Sequence, residues 1–260
     1  MTILDQLADY ARIRVRKAEE HISLQEMREK AESMNPDTGY PFEKALRKEK
    51  ISFICECKKA SPSKGLIAEE FPYLDIAEDY EKAGADAISV LTEPKWFLGK
   101  NEYLKEIAQH VSVPCLRKDF TVDPYMIYEA KVLGASAVLL IVAITTDEKL
   151  KEYLHIAHAL GLSAIVEAHD ETEVKRAADA GAEIIGVNNR NLKDFTVDIH
   201  NSIRLRNLVP ENILFVAESG IHTREDVEEL EKGKVNGVLI GEQLMRASDK
   251  KAMLRQLRRY

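Results

Sequence analysis

From residue 51 onward, short apolar runs alternate with charged segments in which apolar residues recur at helical spacing. Such runs, rich in β-branched residues, are typical of buried strands. The chain contains eight of them: Ile51–Cys57, Ala87–Leu91, Val113–Leu116, Ala137–Val142, Ala164–Val166, Ile184–Val187, Ile213–Ala217 and Val238–Ile240. The helical segments between them include Tyr73–Lys82, Tyr125–Leu133, Glu148–Leu160, Glu171–Ala180 and Arg224–Lys232. This alternation predicts an α/β fold, in which a parallel sheet closes into a (β/α)8 TIM barrel.

Residues 1–50 have a different pattern. Their apolar positions recur three and four apart, at Leu4, Leu7, Ala8, Ala11, Val15 and Ala18 and again at Leu24, Met27 and Ala31. This spacing predicts two amphipathic helices. After a turn at residues 35–39, Pro41 begins a third, short helix that ends at Leu46. We expect a single domain over residues 1–260, with a barrel at 51–260 and a helical N-terminal extension at 1–50 that packs on it.

Composition narrows the classes of partner. The net charge of −7 gives no support for a nucleic-acid partner. No apolar run approaches the roughly 20 residues of a membrane span, and the first residues lack a signal-peptide pattern. The three cysteines, Cys55, Cys57 and Cys115, cannot all pair and do not have zinc-site spacing. We therefore expect a cytoplasmic protein with reduced thiols and with no membrane or nucleic-acid partner, and a monomer is the working expectation.

Polar residues follow the predicted strands where each strand ends, which is where barrels of this kind carry their chemistry. Alternate residues of a strand face the same side, so Glu56 and Lys58 share a face with Ile54. The same rule directs four more side chains inward, namely Lys118, Glu167, Asn188 and Glu218. Two lysines, three glutamates and an asparagine that converge on one pocket indicate acid–base chemistry on an anionic, hydroxylated small molecule. The competing interpretation is a set of structural ion pairs at strand ends.

A metal site is not expected, because zinc and iron sites favour His or Cys ligands. The histidines His110, His155, His158, His169, His200 and His222 fall outside the inward-facing set. A phosphate site is expected instead. Glycines follow the seventh strand at Gly220 and the eighth at Gly241, where many barrels bind phosphate through backbone N–H groups.

Five ordered motifs resemble those of the indole-3-glycerol phosphate synthase family: Glu56–Gly65, Leu116–Phe120, Val166–Glu167, Asn188–Leu192 and Ala217–Ile221. The likeness covers nearly the whole chain, including the helical extension. It implies an enzyme of tryptophan biosynthesis, a carboxy-lyase that closes the indole ring of 1-(2-carboxyphenylamino)-1-deoxyribulose 5-phosphate with loss of carbon dioxide and water. It also implies a phosphorylated small-molecule substrate and neither a metal nor an organic cofactor.

The resemblance assigns roles to the inward-facing residues. Lys118 is similar to the family's general acid, Lys58 to a second lysine that engages anionic groups and assists dehydration, and Glu167 to the general base. Glu56, Asn188 and Glu218 are expected to orient hydroxyls and lysines. Two neighbouring cations in a partly dry pocket are expected to lower each other's pKa, which would ease proton donation.

The same resemblance implies the binding residues. Further substrate contacts are expected at Ser61, Arg190 and Ser219. The wall around the aromatic ring is expected to contain Phe120, Leu139 and Leu192. The phosphate is expected to contact Gly220, Gly241 and Glu242. Glu242 stands where family members often carry a small or hydroxyl residue, so its carboxylate is expected to point away from a phosphate. The N-terminal extension is expected to lie across the open top of the barrel and to shield the pocket from water.

Two alternatives remain open at this point. The first is another phosphate-binding barrel enzyme, similar to phosphoribosylanthranilate isomerase, whose chemistry resembles a Cys/Asp acid–base pair. Cys55 and Cys57 face away from Glu56, which disfavours it. The second is a non-catalytic barrel that only binds a phosphoribosyl ligand, and the presence of Lys58, Lys118 and Glu167 together argues against it.

Overall fold

A computed structural model describes residues 2–190 and 196–258 of the chain. Eight parallel strands close into a barrel, in which each strand pairs with the next and the last pairs with the first. The strands are β1 (Ser52–Cys57), β2 (Ala87–Leu91), β3 (Cys115–Lys118), β4 (Ala137–Ile141), β5 (Ser163–Ala168), β6 (Ile184–Asn188), β7 (Leu214–Glu218) and β8 (Gly237–Ile240). The predicted (β/α)8 barrel is therefore confirmed.

Helices follow the strands around the outside of the barrel. They are α4 (Tyr73–Ala83), α5 (Asn101–His110), α6 (Pro124–Val132), α7 (Asp147–Ala159), α8 (Glu171–Asp179), α9 (His200–Arg206), α10 (Arg224–Lys232), α11 (Glu242–Arg246) and α12 (Lys250–Arg258). Two short strands, Ala60–Ser61 and Gly65–Leu66, form a hairpin just after β1. Within the described ranges, no helix is long and apolar enough to cross a bilayer.

The strands that carry polar ends differ most from their predicted bounds. The third strand was expected to end at Leu116, yet β3 continues through Arg117 and Lys118, which pair with Val90 and Leu91 of β2. The fifth strand likewise continues through Glu167 to Ala168. A charged residue interrupts the apolar run from which a strand is predicted. In the structure these charged residues remain in the sheet, because oppositely charged side chains pair with them.

The strands separate two apolar cores. Residues Ile54, Leu116, Ile165 and Val216 belong to the core inside the barrel, as the alternation rule predicts. Cys55 and Cys57 belong to the outer core between strands and helices. Burial raises the pKa of both thiols well above the usual value, so neither is a candidate acid or base at neutral pH.

The N-terminal extension is divided between the two ends of the barrel. Its helices are α1 (Ile3–Glu19), α2 (Leu24–Glu32) and α3 (Pro41–Leu46). Helix α1 brings Leu4 to the end at which the strands terminate, here called the top, while α2 packs on α6. Helix α3 closes the opposite end, where Phe42 and Leu46 are fully buried against the inner core. The extension as a whole therefore does not lie across the top, since only α1 reaches it.

Candidate active site

A cavity of about 190 Å³ opens at the top of the barrel. It is lined by fourteen of the fifteen predicted site residues: Glu56, Lys58, Ser61, Lys118, Phe120, Leu139, Glu167, Asn188, Arg190, Glu218, Ser219, Gly220, Gly241 and Glu242. The remaining one, Leu192, lies outside the described residues. The ends of all the strands thus bring together residues that are far apart in the chain, as expected for parallel strands in a closed sheet.

The first ion pair of the cavity lies at the end of β1. The Nζ of Lys58 is 2.6 Å from Oε1 of Glu56, and Ser89 donates a hydrogen bond to the other carboxylate oxygen at 3.3 Å. Burial alone would raise the pKa of Glu56, but Lys58 and Lys118 outweigh it and hold that pKa below the usual value. A side chain at position 241 would collide with this pair, because a Cβ there would lie 2.5 Å from Glu56 and 2.9 Å from Lys58. Gly241 therefore makes room for the pair.

The second set centres on Lys118 at the end of β3. Its Nζ lies 3.2 Å from Oε2 of Glu167 and 3.3 Å from Oε2 of Glu218. Desolvation disfavours the charged lysine, but the carboxylates of Glu218, Glu167 and Glu56 outweigh it and raise the pKa of Lys118 above its usual value. The expectation that the neighbouring lysine lowers the pKa of Lys118 is therefore wrong, because three buried carboxylates dominate its surroundings. An unliganded Lys118 is protonated throughout the physiological range.

Glu218, at the end of β7, has the least compensated carboxyl group of the cavity. Its Oε1 is buried and has no hydrogen-bond partner in the part of the chain that the structure describes. It lies where a side chain on β6 would otherwise sit, since a Cβ at Gly186 would be 2.5 Å from Oε1. Burial raises the pKa of Glu218, Lys118 opposes this, and the nearby carboxylates of Glu167 and Glu56 add to it, so that the pKa rises to about 7.

Glu167, on β5, is compensated on both oxygens. Asn188 donates to its Oε1 at 3.4 Å, and Lys118 contacts its Oε2. Burial opposes the charged form, but Lys118 and a neighbouring histidine, His169, outweigh it and hold the pKa of Glu167 well below its usual value. Glu167 is therefore ionised at neutral pH, whereas Glu218, which contacts the same lysine, titrates near that pH.

His169 corrects the expectation that every histidine lies away from the inward-facing set. Its Nε2 is 3.4 Å from Oε1 of Glu167. The signal was present in the sequence, because His169 follows Glu167 by two, directly after β5, and residues two apart along an extended segment are neighbours on one side. His222 lines the cavity as well, and its Nδ1 lies 2.9 Å from Oε1 of Gln243.

The end of the cavity at which the sequence predicts phosphate contacts is formed by the segments after β7 and β8. Ser219 and Gly220 both have left-handed backbones, with φ of 69° and 80°. A non-glycine residue in this region is strained, and such strain is frequent at binding sites. The Glu242 carboxylate lies 3.1 Å from Nε of Arg246 and 3.6 Å from Nζ of Lys64, so two cations offset its charge.

The apolar wall includes residues that the sequence analysis did not assign to the site. Beside Phe120 and Leu139, the cavity is lined by Leu4, Leu7 and Phe97. The first two come from α1, which belongs to the extension expected to shield the pocket, although its individual residues were not assigned to the site. Nothing in the spacing distinguishes a helix that covers a pocket from one that covers a core.

Within residues 2–190 and 196–258, no three or more His, Cys, Asp and Glu side chains are arranged to hold a metal ion.

The end of β6 is ordered by a local contact, in which the backbone N–H of Arg190 donates a hydrogen bond to Oδ1 of Asn188 at 3.1 Å. Buried carboxylates and partly buried lysines that converge at the carboxyl ends of eight parallel strands define the chain as a (β/α)8-barrel enzyme. A solved thiamine phosphate pyrophosphorylase from Pyrococcus furiosus supports the fold alone, with a TM-score of 0.62 at 18% identity over 82% of this chain and 96% of that one.

The chain belongs to the indole-3-glycerol phosphate synthase family, whose model matches residues 4–257. An indole-3-glycerol phosphate synthase from Ruminiclostridium cellulolyticum is 56% identical over 256 residues, which are 98% of this chain and 98% of that protein. Another from Leuconostoc mesenteroides is 58% identical over 238 residues, 91% of each chain. The resemblance found in the sequence motifs is therefore confirmed.

Proposed function

We propose that the cavity at the top of the barrel performs the reaction of this family, the conversion of 1-(2-carboxyphenylamino)-1-deoxyribulose 5-phosphate to indole-3-glycerol phosphate. The observation that carries the proposal is Lys118, a protonated lysine held between Glu167 and Glu218 in the cavity. A buried acid beside a buried base is the arrangement that a condensation followed by a dehydration requires.

In the first half of the reaction Lys118 acts as the general acid. The ring carbon that bears the carboxylate attacks the ribulose carbonyl carbon and forms the new carbon–carbon bond. The carbonyl oxygen takes a proton from Nζ of Lys118 and becomes a hydroxyl. Carbon dioxide then leaves, and the electron pair of the broken bond returns to the ring and restores its aromaticity. The raised pKa keeps Lys118 loaded with a proton until the substrate arrives.

In the second half the hydroxyl leaves as water. Lys58 supplies the proton to the leaving oxygen, and Glu167 removes a proton from the neighbouring carbon, so that the double bond of the indole forms. Glu56 supports this step because it holds the Lys58 ammonium at 2.6 Å. The lowered pKa of Glu167 keeps it ionised and ready to accept the proton.

The substrate is oriented by the two ends of the cavity. The aromatic ring lies against Phe120 and Leu139, while the phosphate binds between the two segments after β7 and β8. Backbone N–H groups near Gly220 and Gly241 donate to the phosphate oxygens, together with the hydroxyl of Ser219. The predicted contacts of Ser61, Arg190 and Asn188 then face the sugar hydroxyls and the carboxylate, and Leu192 is expected to complete the ring wall.

The protein is also proposed to act as a cytoplasmic monomer formed by one domain. Its three cysteines are buried and unpaired, as suits a reducing compartment. The exposed large apolar side chains are distributed along the chain from Ile13 to Leu208. Size-exclusion chromatography with light scattering tests this, since a mass of twice 29.4 kDa would exclude the monomer.

Turnover of the substrate, followed by indole absorbance in excess chelator, tests the proposal. Lys118→Ala and Glu167→Gln should each lower kcat about 100- to 10,000-fold while circular dichroism stays that of the wild type. Lys149→Ala, at an exposed position of α7, is the matched control and should turn over at the wild-type rate. A wild type that binds the substrate without forming product would refute catalysis, and active Lys118 and Glu167 variants would refute the assigned roles.

A further inference from the structure

Lys118 lies almost equally far from two buried carboxyl groups, at 3.2 Å from Glu167 and 3.3 Å from Glu218. The distance from Lys118 therefore does not decide whether Glu167 or Glu218 acts as the base. The surroundings of the other oxygen do differ. Oε1 of Glu218 has no hydrogen-bond partner among the described residues, whereas Oε1 of Glu167 contacts Asn188 and His169.

His169 lies behind Glu167 and does not line the cavity. Its Nε2 is 3.4 Å from Oε1 of Glu167, a charge contact rather than a well-aligned hydrogen bond. Its Nδ1 is 2.9 Å from Oε2 of Glu173 on α8. The imidazole thus stands between a carboxylate that lines the cavity and one that does not.

Glu173 is fixed by the start of its helix. Asp170 caps α8 and accepts the Glu173 N–H at 2.9 Å, and Oε2 of Glu173 accepts the backbone N–H of His169 at 2.8 Å. A carboxylate in the first turn is also favoured by the helix dipole. The ring of His169 is therefore held from a rigid element, through both its backbone and its Nδ1.

The charge of His169 follows from this pair of carboxylates. Burial would lower the pKa of the imidazole, but Glu167 and Glu173 outweigh burial and raise it to about 10. In the proposed reaction Lys118 gives up its proton in the first half, whereas His169 takes no part in proton transfer and keeps its charge. Glu167 would otherwise lose its counter-charge before it has to serve as a base.

We propose that His169, anchored by Glu173, is a positioning residue that keeps Glu167 ionised and so assigns the role of base to Glu167 rather than to Glu218. The inference rests on the proposed function of Glu167. The charged groups that face Glu167 are Lys118 on β3, Glu218 on β7 and His169 itself. Glu56 on β1 acts indirectly, because it helps to raise the pKa of Lys118. Glu173 is the further charged group that faces the imidazole.

The pH dependence of kcat is the measurement, because it reports groups in the enzyme–substrate complex. The bound substrate adds a carboxylate and a phosphate, whose negative charge raises the pKa of Glu167 towards the range in which the protein is folded. His169→Gln retains an N–H donor and removes the charge. We expect its acid limb to move to higher pH than that of the wild type by about one unit, with KM changed less than about twofold.

Glu173→Gln should move the acid limb in the same direction by a smaller amount. It removes one of the two carboxylates that stabilise the imidazolium, but leaves the imidazole itself in place. Glu171→Gln is the matched control. Glu171 lies on the same helix, is exposed and pairs with Arg204, so its profile should match that of the wild type. Circular dichroism establishes that each variant is folded.

The outcomes separate this inference from the proposed function. If Glu167→Gln is inactive and the His169→Gln profile superimposes on that of the wild type, Glu167 remains the base and the positioning role is refuted. If Glu167→Gln turns over normally, the assignment of Glu167 as base and the positioning role of His169 are both refuted, while the proposed reaction stands on the turnover of the wild type. A titration of the wild-type His169 ring by NMR needs no variant, and an imidazole that is neutral at pH 7 would overturn the inference by itself.

Discussion

Strand β3 carries two buried charge clusters that are compensated in different ways. Lys118 faces the cavity, where it contacts Glu167 and Glu218. The flanking residues Arg117 and Asp119 join a second cluster. Asp119 receives a bidentate contact from Arg14 of α1, at 2.6 and 3.0 Å, and a hydrogen bond from Thr92 at 2.6 Å.

The difference lies in how completely the carboxylates are satisfied. Both oxygens of Asp119 have hydrogen-bond partners, and although burial opposes it, Arg14 and Arg117 hold its pKa below the usual value. Glu218 has an unpartnered oxygen and a pKa raised to about 7. A carboxylate with both oxygens paired stabilises the fold, whereas an unpartnered carboxylate oxygen leaves an interaction for a substrate to complete. Charged residues at a strand end are thus functional when their pairing is incomplete.

The largest expected effect on stability is at Asp119, whose two carboxylate oxygens are both paired. Asp119→Asn retains the shape but leaves the partly buried guanidinium of Arg14 without its counter-charge, so the free energy of unfolding should fall by about 3 kcal/mol. Urea denaturation measures the loss. The control is Asp9→Asn, which breaks the exposed pair with Arg12 on the same helix and should give no measurable change. An equal loss in both variants would remove the distinction between this cluster and a surface pair.

A smaller effect, of opposite sign, is expected at the cavity. The folded-state pKa of Glu218 is raised to about 7 from the usual 4.5, so between these values the folded protein holds a proton that the unfolded chain has released. Stability from this group therefore falls as pH rises through that window. Glu218→Gln should be more stable than the wild type at pH 8 by about 2 kcal/mol and should lose most activity.

The comparison requires that the variant's gain disappear below about pH 3.5, where the Glu218 carboxyl group of the wild type is protonated in both the folded and the unfolded state. For Asp119 the sign is reversed, because a lowered pKa gives stability that is present above the unfolded value and is lost as pH falls through the folded one. A Glu218→Gln variant whose gain does not depend on pH would show that the carboxyl group is not the cause.

The sequence predicts the barrel well because its signals are local and repeated. Each helix-to-strand unit has its own apolar pattern, and eight such units permit few other folds. The alternation of side chains also directs Glu56, Lys118 and Glu167 to one cavity from nothing more than strand parity. The roles of those residues stay predictions, since no measurement of turnover bears on them.

Other features depend on contacts between distant segments. The direction of the Lys118 pKa shift is set by three carboxylates from three other strands, and a count of nearby lysines gives the wrong sign. Likewise, α1 and α3 both bury apolar residues, but α1 reaches the cavity and α3 closes the other end. The surface that an apolar stripe covers is determined by the whole fold, and the spacing of apolar residues in the sequence does not predict it.

The smallest effect is expected at Glu242, where a carboxylate stands close to the proposed phosphate site. Arg246 and Lys64 offset much of its charge, and it is partly exposed, so its repulsion of a phosphate is weak. Glu242→Gln should lower KM by no more than about threefold at low salt, with kcat unchanged and the difference lost at high salt. Glu148→Gln, at an exposed site on α7, controls for net charge. A KM that rises instead would mean that Glu242 acts mainly through Lys64, by holding the segment after β1 against the phosphate end of the cavity.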